Sequence, residues 1–195
     1  MSPPEEIGYA LRCLRRRRIR RWGSSRAAVA VTIVTGADGP AVLLTRRADS
    51  AHPRSGQLAL PGGRTDRWES ASGAARRQLA EGLGMRLPPE SVLGLLDDYP
   101  VHARLVITPV VLWAGEHGDR LHLNQALEPA RTDEVLAVPF TDLDVEPVFV
   151  ASSESERPVI RLPLLGEWLH APTAAALHQF REVVLHRRRT RVAAP

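Results

Sequence analysis

The chain has 195 residues, 44% of them hydrophobic, with 26 basic against 22 acidic side chains. Every basic residue is arginine, which excludes a Schiff-base lysine, a phosphate-loop lysine and lysine acetylation. The length suits one domain with arms, and the apolar content excludes a disordered chain. No apolar run approaches the roughly 18 residues of a membrane span. The N-terminal stretch lacks the apolar core of a secretory signal, so a soluble, cytoplasmic protein is expected. Cys13 is the single cysteine, which excludes an internal disulfide or a zinc cluster.

The first predicted element is a helix over roughly residues 5–21, from Ile7, Leu11 and Leu14 at helical spacing. Cys13 lies within it. Exposed, its thiol would ionise readily beside so many arginines; the commoner outcome is a small packed side chain. Arg15, Arg16, Arg17, Arg18, Arg20 and Arg21 cluster here, and Arg187, Arg188, Arg189 and Arg191 cluster at the other end. Without these ten the balance is 16 basic to 22 acidic, so the body of the domain is acidic. Basic arms can follow nucleic acid or an anionic membrane through phosphate contacts. No aromatic residues interleave for base stacking, so a solvated helix face and a frayed tail is the preferred reading.

From Arg26 the pattern becomes β. AAVAVTIVT (27–35) and AVLLTRR (41–47) read as strands joined by the turn GADGP, and 48–56 as a loop. QLALPGG (57–63) reads as a short strand entering a glycine turn. Ser70 to Leu83 has helical composition, with Gly84 as the stop. Further strands are expected near 91–97, 104–113, 135–139 and 157–162. The chain closes on an amphipathic helix over 170–189, with Leu177, Phe180 and Val184 on one face. Strands dominate and helices intervene irregularly, which predicts an α+β or layered α/β/α sandwich.

The chemistry concentrates in PGGRTDRWESASGAARRQLAEGLGM (61–85). A glycine turn, an acid and a helix with further acids suit a divalent metal bound to a diphosphate, since magnesium takes carboxylates, phosphates and water. Positions 78, 81 and 82 share one helix face. The segment resembles the Nudix box: Gly, five residues, Glu, seven residues, then Arg-Glu-apolar-any-Glu-Glu-any-Gly-apolar. Gly63, Glu69, Arg77, Leu79, Glu81, Gly84 and Met85 fall at seven of its nine defined positions. Upstream, Leu44, Thr45, Arg47, Gly56, Gln57, Pro61, Gly62 and Gly63 are similar to the segment before the box in Nudix coenzyme A pyrophosphatases. The usual histidine two residues before Gly56 is Arg54, with His52 two positions earlier. ITPVV (107–111) and DEVLAVPF (133–140) look like later Nudix strands. The resemblance covers roughly 26–145 and implies an α+β Nudix sandwich with a mixed sheet. The domain is expected over 26–186, after a basic arm at 1–25 and before a basic tail at 187–195.

The resemblance also implies a site. Its metal, Mg2+ or Mn2+, would rest on the Gly63 carbonyl, Glu81 and Glu134, the last placed like a distal family glutamate. Arg77 and Glu69 would complete the catalytic set, with Glu69 either orienting Arg77 or touching metal. Arg47, Arg54 and Arg64 would contact phosphates. Two expected glutamates are replaced, by Gln78 and Gly82. Glutamine keeps a neutral oxygen and glycine keeps nothing, so metal affinity and rate should fall. Gly82 and Gly84 could instead punctuate the helix end. Asp66, Asp97 and Asp98 are the acids available to replace the missing pair in part, although Asp97 and Asp98 read better as a strand end.

Three functions follow. The favoured one is a hydrolase of a nucleoside diphosphate-X or coenzyme A-like pyrophosphate bond, with weakened activity. The alternatives are a catalytically silent nucleotide-binding module and a nucleic-acid or membrane protein using the arginine arms. The expected partner is a small-molecule diphosphate, without an integral membrane anchor; nucleic acid remains open through the arms, as does a homodimer.

Overall fold

The computed structural model describes residues 2–20, 23–46, 56–102, 104–115, 134–152 and 155–191. Its centre is an eight-stranded sheet built on the longest β-branched run. Strand β1 (Ser25–Gly36) turns back into β2 (Gly39–Arg46), with Ile33 opposite Val42. On its other side β1 runs parallel to β7 (Leu105–Gly115), Ala28 lying opposite Thr108. The β1–β2 hairpin splays at its open end, and residues 58–64 fill the wedge. There β3 (Leu58–Ala59) pairs with β2, and β4 (Gly62–Arg64) pairs with β1. β5 (Val92–Leu95) and β6 (Tyr99–His102) lie antiparallel to β7, and β8 (Glu134–Pro139) covers the outer edge of β2. A second sheet is the antiparallel meander β9 (Val148–Ser152), β10 (Ser155–Leu164) and β11 (Glu167–His170).

The central strands are buried on both faces, which is why β1 reads as a continuous apolar run rather than an alternating one. One face, with Ala28, Ala30, Val34, Leu43, Val110 and Leu112, packs against helix α2 (Ala71–Leu83). The other, with Val29, Val31, Ile33, Val42 and Leu44, packs against α1 (Pro3–Cys13), α3 (Thr173–Phe180) and the second sheet. This is the expected α+β sandwich with a mixed sheet.

The helices differ from expectation at their ends. Ile7, Leu11 and Leu14 are buried as the stripe predicts, but α1 stops at Cys13, which is exposed rather than packed. Residues beyond it are drawn off the helix by two fully buried carboxylates. Arg17 donates its backbone N–H to Asp97 at 2.6 Å, and Ile19 donates to Asp98 at 2.9 Å. The Arg16 guanidinium binds Asp98 at 2.5 Å, and Arg191 reaches Asp97 at 2.9 Å from the C-terminal side. Arg16 and Arg191 are therefore anchors for the two arms, a correction to the solvated reading of those residues. At the C-terminus, α3 gives way to a π-helical turn over Arg181–Leu185, so the terminal helix is shorter than 170–189. Leu177, Phe180 and Val184 are buried as expected.

β6, β9 and β11 had no separate expectation. They are short, and in β6 and β11 the apolar residues mix with proline, histidine and tryptophan, which blurs the two-residue period. No helix among the described residues is long and apolar enough to cross a membrane.

Candidate functional site

The site forms where β4 enters a loop and the loop enters α2. Gly62 presses against β1 so closely that an added Cβ would lie 2.9 Å from the Val29 Cα. At Gly63 an added Cβ would lie 2.5 Å from the Gln78 Oε1, so the glutamine amide packs directly on the glycine. Backbone close approach thus requires glycine at 62, whereas at 63 the neighbour is the movable end of Gln78. Thr65 then hooks the loop to β1, its N–H and hydroxyl both donating to the Arg26 carbonyl, at 3.0 and 3.2 Å.

Ser70 caps α2 by accepting from the Gly73 N–H at 3.0 Å. Gly84 ends the helix in the left-handed conformation at φ 65°. Gly82 therefore lies inside the last turn, and only Gly84 serves as the stop. Ala74, Ala75, Leu79 and Leu83 are buried against the sheet. That stripe turns the 77, 78 and 81 edge toward β4 and the loop. Truncating Leu79 to alanine should cost about 2–5 kcal/mol.

Arg77 organises the exposed edge. Its guanidinium donates in a fork to Glu69, Nε to Oε1 at 3.0 Å and Nη2 to Oε2 at 2.8 Å. Nη2 also donates to the Arg64 carbonyl at 3.0 Å, and Nη1 to Glu81 Oε2 at 3.2 Å. Asp66 stands 3.6 Å from Nε. Glu69 in turn accepts the Asp66 N–H at 2.9 Å, so one ion pair fixes both ends of the loop. The hydrogen bonds from Arg77 hold the Glu69 carboxyl below its ordinary range, and those from Glu69 raise Arg77 further above its own. Glu69 is thereby occupied as the partner that orients Arg77. Gln78 donates its amide to Glu81 Oε2 at 3.2 Å.

The structure thus brings Gly63, Glu69, Arg77, Gln78 and Glu81 together. Glu134 is placed differently. It accepts from Arg46 Nε at 2.9 Å, across the β2–β8 pairing that sets Arg46 opposite Glu134. Leu136 and Val138, which share its side of β8, pack into the core layer of α1 and α3, whereas α2 covers the opposite face. Arg46 also holds Glu167 at 2.8 Å and donates to the Gly56 carbonyl at 2.7 Å. Its hydrogen bonds to Arg46 lower the Glu167 carboxyl below its usual range. Arg64 has an exposed side chain, while Arg47 and Arg54 lie outside the described residues. Asp97 and Asp98 hold the arms and do not replace the missing helix acids.

Sequence reasoning missed Arg46 and Glu167. Arg46 had a signal, since it follows Val42 and Leu44 on the same side of β2. Glu167 had none, because its place depends on how the second sheet docks.

A divalent cation fits this donor set incompletely. Glu81 contributes one carboxylate, 58% exposed, Gln78 a neutral oxygen, and Gly82 nothing. No group of three His, Cys, Asp or Glu side chains placed to hold a metal occurs among the described residues.

Comparison with known proteins identifies the family. The family model for the NUDIX domain matches residues 24–158. Nudix hydrolase 22, chloroplastic, of Arabidopsis thaliana is 32% identical over 124 residues, which cover 62% of this chain and 39% of that protein. The match thus spans about two fifths of the relative's length. The crystal structure of a MutT/nudix family protein from Enterococcus faecalis superposes with a TM-score of 0.50 at 19% identity, covering 96% of this chain and 74% of that one. A Nudix hydrolase of M. smegmatis, RenU, gives a TM-score of 0.49 at 25% identity, covering 86% and 91%.

Proposed function

The chain belongs to the Nudix family, and from that premise we propose that it is a slow hydrolase of a nucleoside diphosphate-X pyrophosphate bond. The observation that carries the reading is the Arg77 fork. It ties Glu69, the Arg64 carbonyl and Glu81 into one unit beside Gly63, at hydrogen bonds of 2.8–3.2 Å. Such a unit holds a backbone loop rigid against a phosphate-sized ligand, and preorganised positioning is the main contribution of protein side chains to phosphoryl chemistry. The exposed Arg64 side chain is a described cation suited to a phosphate, and Arg47 and Arg54 are proposed as further phosphate contacts. A coenzyme A-like substrate is supported by the sequence of the wedge, Gly56, Gln57 and Pro61 through Gly63.

We propose Mg2+ or Mn2+ on the Gly63 carbonyl and Glu81, two of the three family positions. Glu134, the third, lies on the side of β8 turned away from α2 and is held by Arg46. The incomplete fit of that set is the reason to expect slow turnover. The pairing of Glu134 with Arg46, with Gln78 and Gly82, favours a second reading, a nucleotide-binding module without catalysis. The third reading loses ground, because Arg16 and Arg191 of the arms are engaged by Asp98 and Asp97.

Purified protein incubated with magnesium or manganese and a panel of ADP-ribose, coenzyme A and dinucleoside polyphosphates tests the proposal. Slow release that falls to background in Glu81→Gln is expected. Release no greater than in that variant, with nucleotide binding intact, selects the silent module. Efficient turnover refutes the weakened-site argument.

A further inference from the structure

We propose that Trp68 is a stacking platform for the base of a bound nucleotide. The assignment rests on the nucleotide-site reading above and adds the residue that holds the ligand's base. Trp68 is 91% exposed, more than any other large hydrophobic side chain among the described residues. It also holds φ at 69°, in the left-handed region where a bulky aromatic residue is a genuine outlier. An ordinary surface tryptophan would relax on both counts, folding its ring onto the protein and its backbone into a commoner basin.

Here the loop prevents that relaxation. Thr65 is hooked to Arg26, Asp66 donates its N–H to Glu69, and the Glu69 N–H returns to the Asp66 carbonyl at 3.1 Å. Arg77 then clamps Glu69 and the Arg64 carbonyl. Trp68 sits at the apex of this turn, so its indole is held in water by bonds that also build the phosphate side of the site. Strain kept in place by surrounding structure is characteristic of ligand-binding positions.

The chemistry around the ring selects the ligand. The Arg67 guanidinium lies 5.5 Å from the ring centroid, polarising one face of the indole. Arg64, on the same loop, exposes its side chain. A flat π-system beside two guanidinium groups suits a ligand with a planar base at one end and phosphates at the other. An aliphatic or lipid partner would meet charge where it needs apolar surface. A base stacked on one aromatic ring, with no hydrogen-bonding edge built around it among the described residues, predicts little preference among bases and a purine advantage from stacking area.

Binding of ADP, of inorganic pyrophosphate and of a short single-stranded oligonucleotide should be measured for wild type, Trp68→Phe, Trp68→Ala and Trp68→Gly. Removing one base–aromatic stack should weaken ADP by roughly tenfold or more in the alanine and glycine variants. Phenylalanine should lose less, and pyrophosphate affinity should not change. Glycine accepts the left-handed backbone, so Trp68→Gly should melt no lower than wild type while it loses ADP; a purely structural tryptophan predicts the opposite pairing. Equal ADP affinity in all four proteins overturns the platform and leaves the nucleotide site standing. Failure of wild type to bind both ADP and pyrophosphate overturns the platform and the site together. Trp68-dependent binding of the oligonucleotide with none of ADP assigns the ring to a nucleic-acid strand and also overturns the proposal.

Discussion

Restoring the two absent carboxylates, Gln78→Glu with Gly82→Glu, is the sharpest perturbation of this site. Both fit: glutamate is isosteric with Gln78, and a Cβ at Gly82 meets no atom within 4 Å. Without a cation the terms nearly cancel. The amide of Gln78 that donates to Glu81 becomes a like charge, and each like pair on a helix costs about 0.2–0.5 kcal/mol. Replacing the helical glycine returns up to about 1 kcal/mol. With a cation the terms add. Two unit charges about 4 Å apart attract by about 4 kcal/mol at an effective dielectric of 20. Glu81 is 58% exposed, so solvent screening leaves at most about 1 kcal/mol per added carboxylate. That is about fivefold in affinity for each and about thirtyfold for the pair. At magnesium one hundred times its Kd, linkage adds about 2.7 kcal/mol, or about 5–11 °C for a chain of this size. Thermal melts of wild type, each single variant, the double variant and Gly82→Ala, with and without magnesium, measure this directly. Hydrolysis of ADP-ribose should rise in parallel. The same magnesium shift in wild type and double variant would refute the reasoning, because the helix edge would then not be where the cation sits.

Three further outcomes are expected elsewhere in the fold. Asp98→Ala strips a fully buried carboxylate from Arg16, the Ile19 N–H and Thr108, and should cost about 3–5 kcal/mol; differential scanning fluorimetry should show the loss, and trypsin should then cut within Arg15–Arg18. A loss below about 1 kcal/mol would mean the arm is not held there. Gly62→Ala should destabilise more than Gly63→Ala, because the new methyl meets the β1 backbone in the first case and the flexible end of Gln78 in the second; chemical denaturation ranks the two, and the reverse order would contradict the packing. His178 has its Nδ1 buried without a partner, and burial lowers its pKa below the ordinary value. The unfolded chain then binds the proton more readily, so stability falls as pH drops below about 6.5. His178→Leu should flatten that slope of melting temperature against pH, and an unchanged slope would assign it to other groups.

The sequence made the inner elements legible and left their ends obscure, for a physical reason. β1, β2, β7 and α2 are encoded by local pattern: a β-branched run, a serine cap, buried residues at 75, 79 and 83, and a glycine stop. The glycine turn and the Arg77, Glu69 and Glu81 group were legible for the same reason, since their spacing lies within one loop and one helix. Contacts between distant segments were not. The end of α1 is set by carboxylates about eighty positions away, and no local propensity announces that Asp97 and Asp98 will capture the backbone of residues 17 and 19. Glu134 fits a family position by sequence, yet its side chain is claimed by Arg46 through a strand pairing that only the folded sheet defines.

The same distinction bears on what Gln78 and Gly82 do. Three glutamates on one helix edge repel one another, and a cation beside them relieves that repulsion. In this chain Glu81 is the carboxylate of the trio that remains, and it already accepts bonds from Arg77 and from the Gln78 amide. The edge is therefore satisfied by its own side chains. Gln78 also packs its amide against Gly63. Substituting glutamine there thus removes a ligand and stabilises the helix without metal in a single change. A protein so arranged should fold and bind a nucleotide in the presence of a chelator, with loss of turnover as the main consequence of removing the cation.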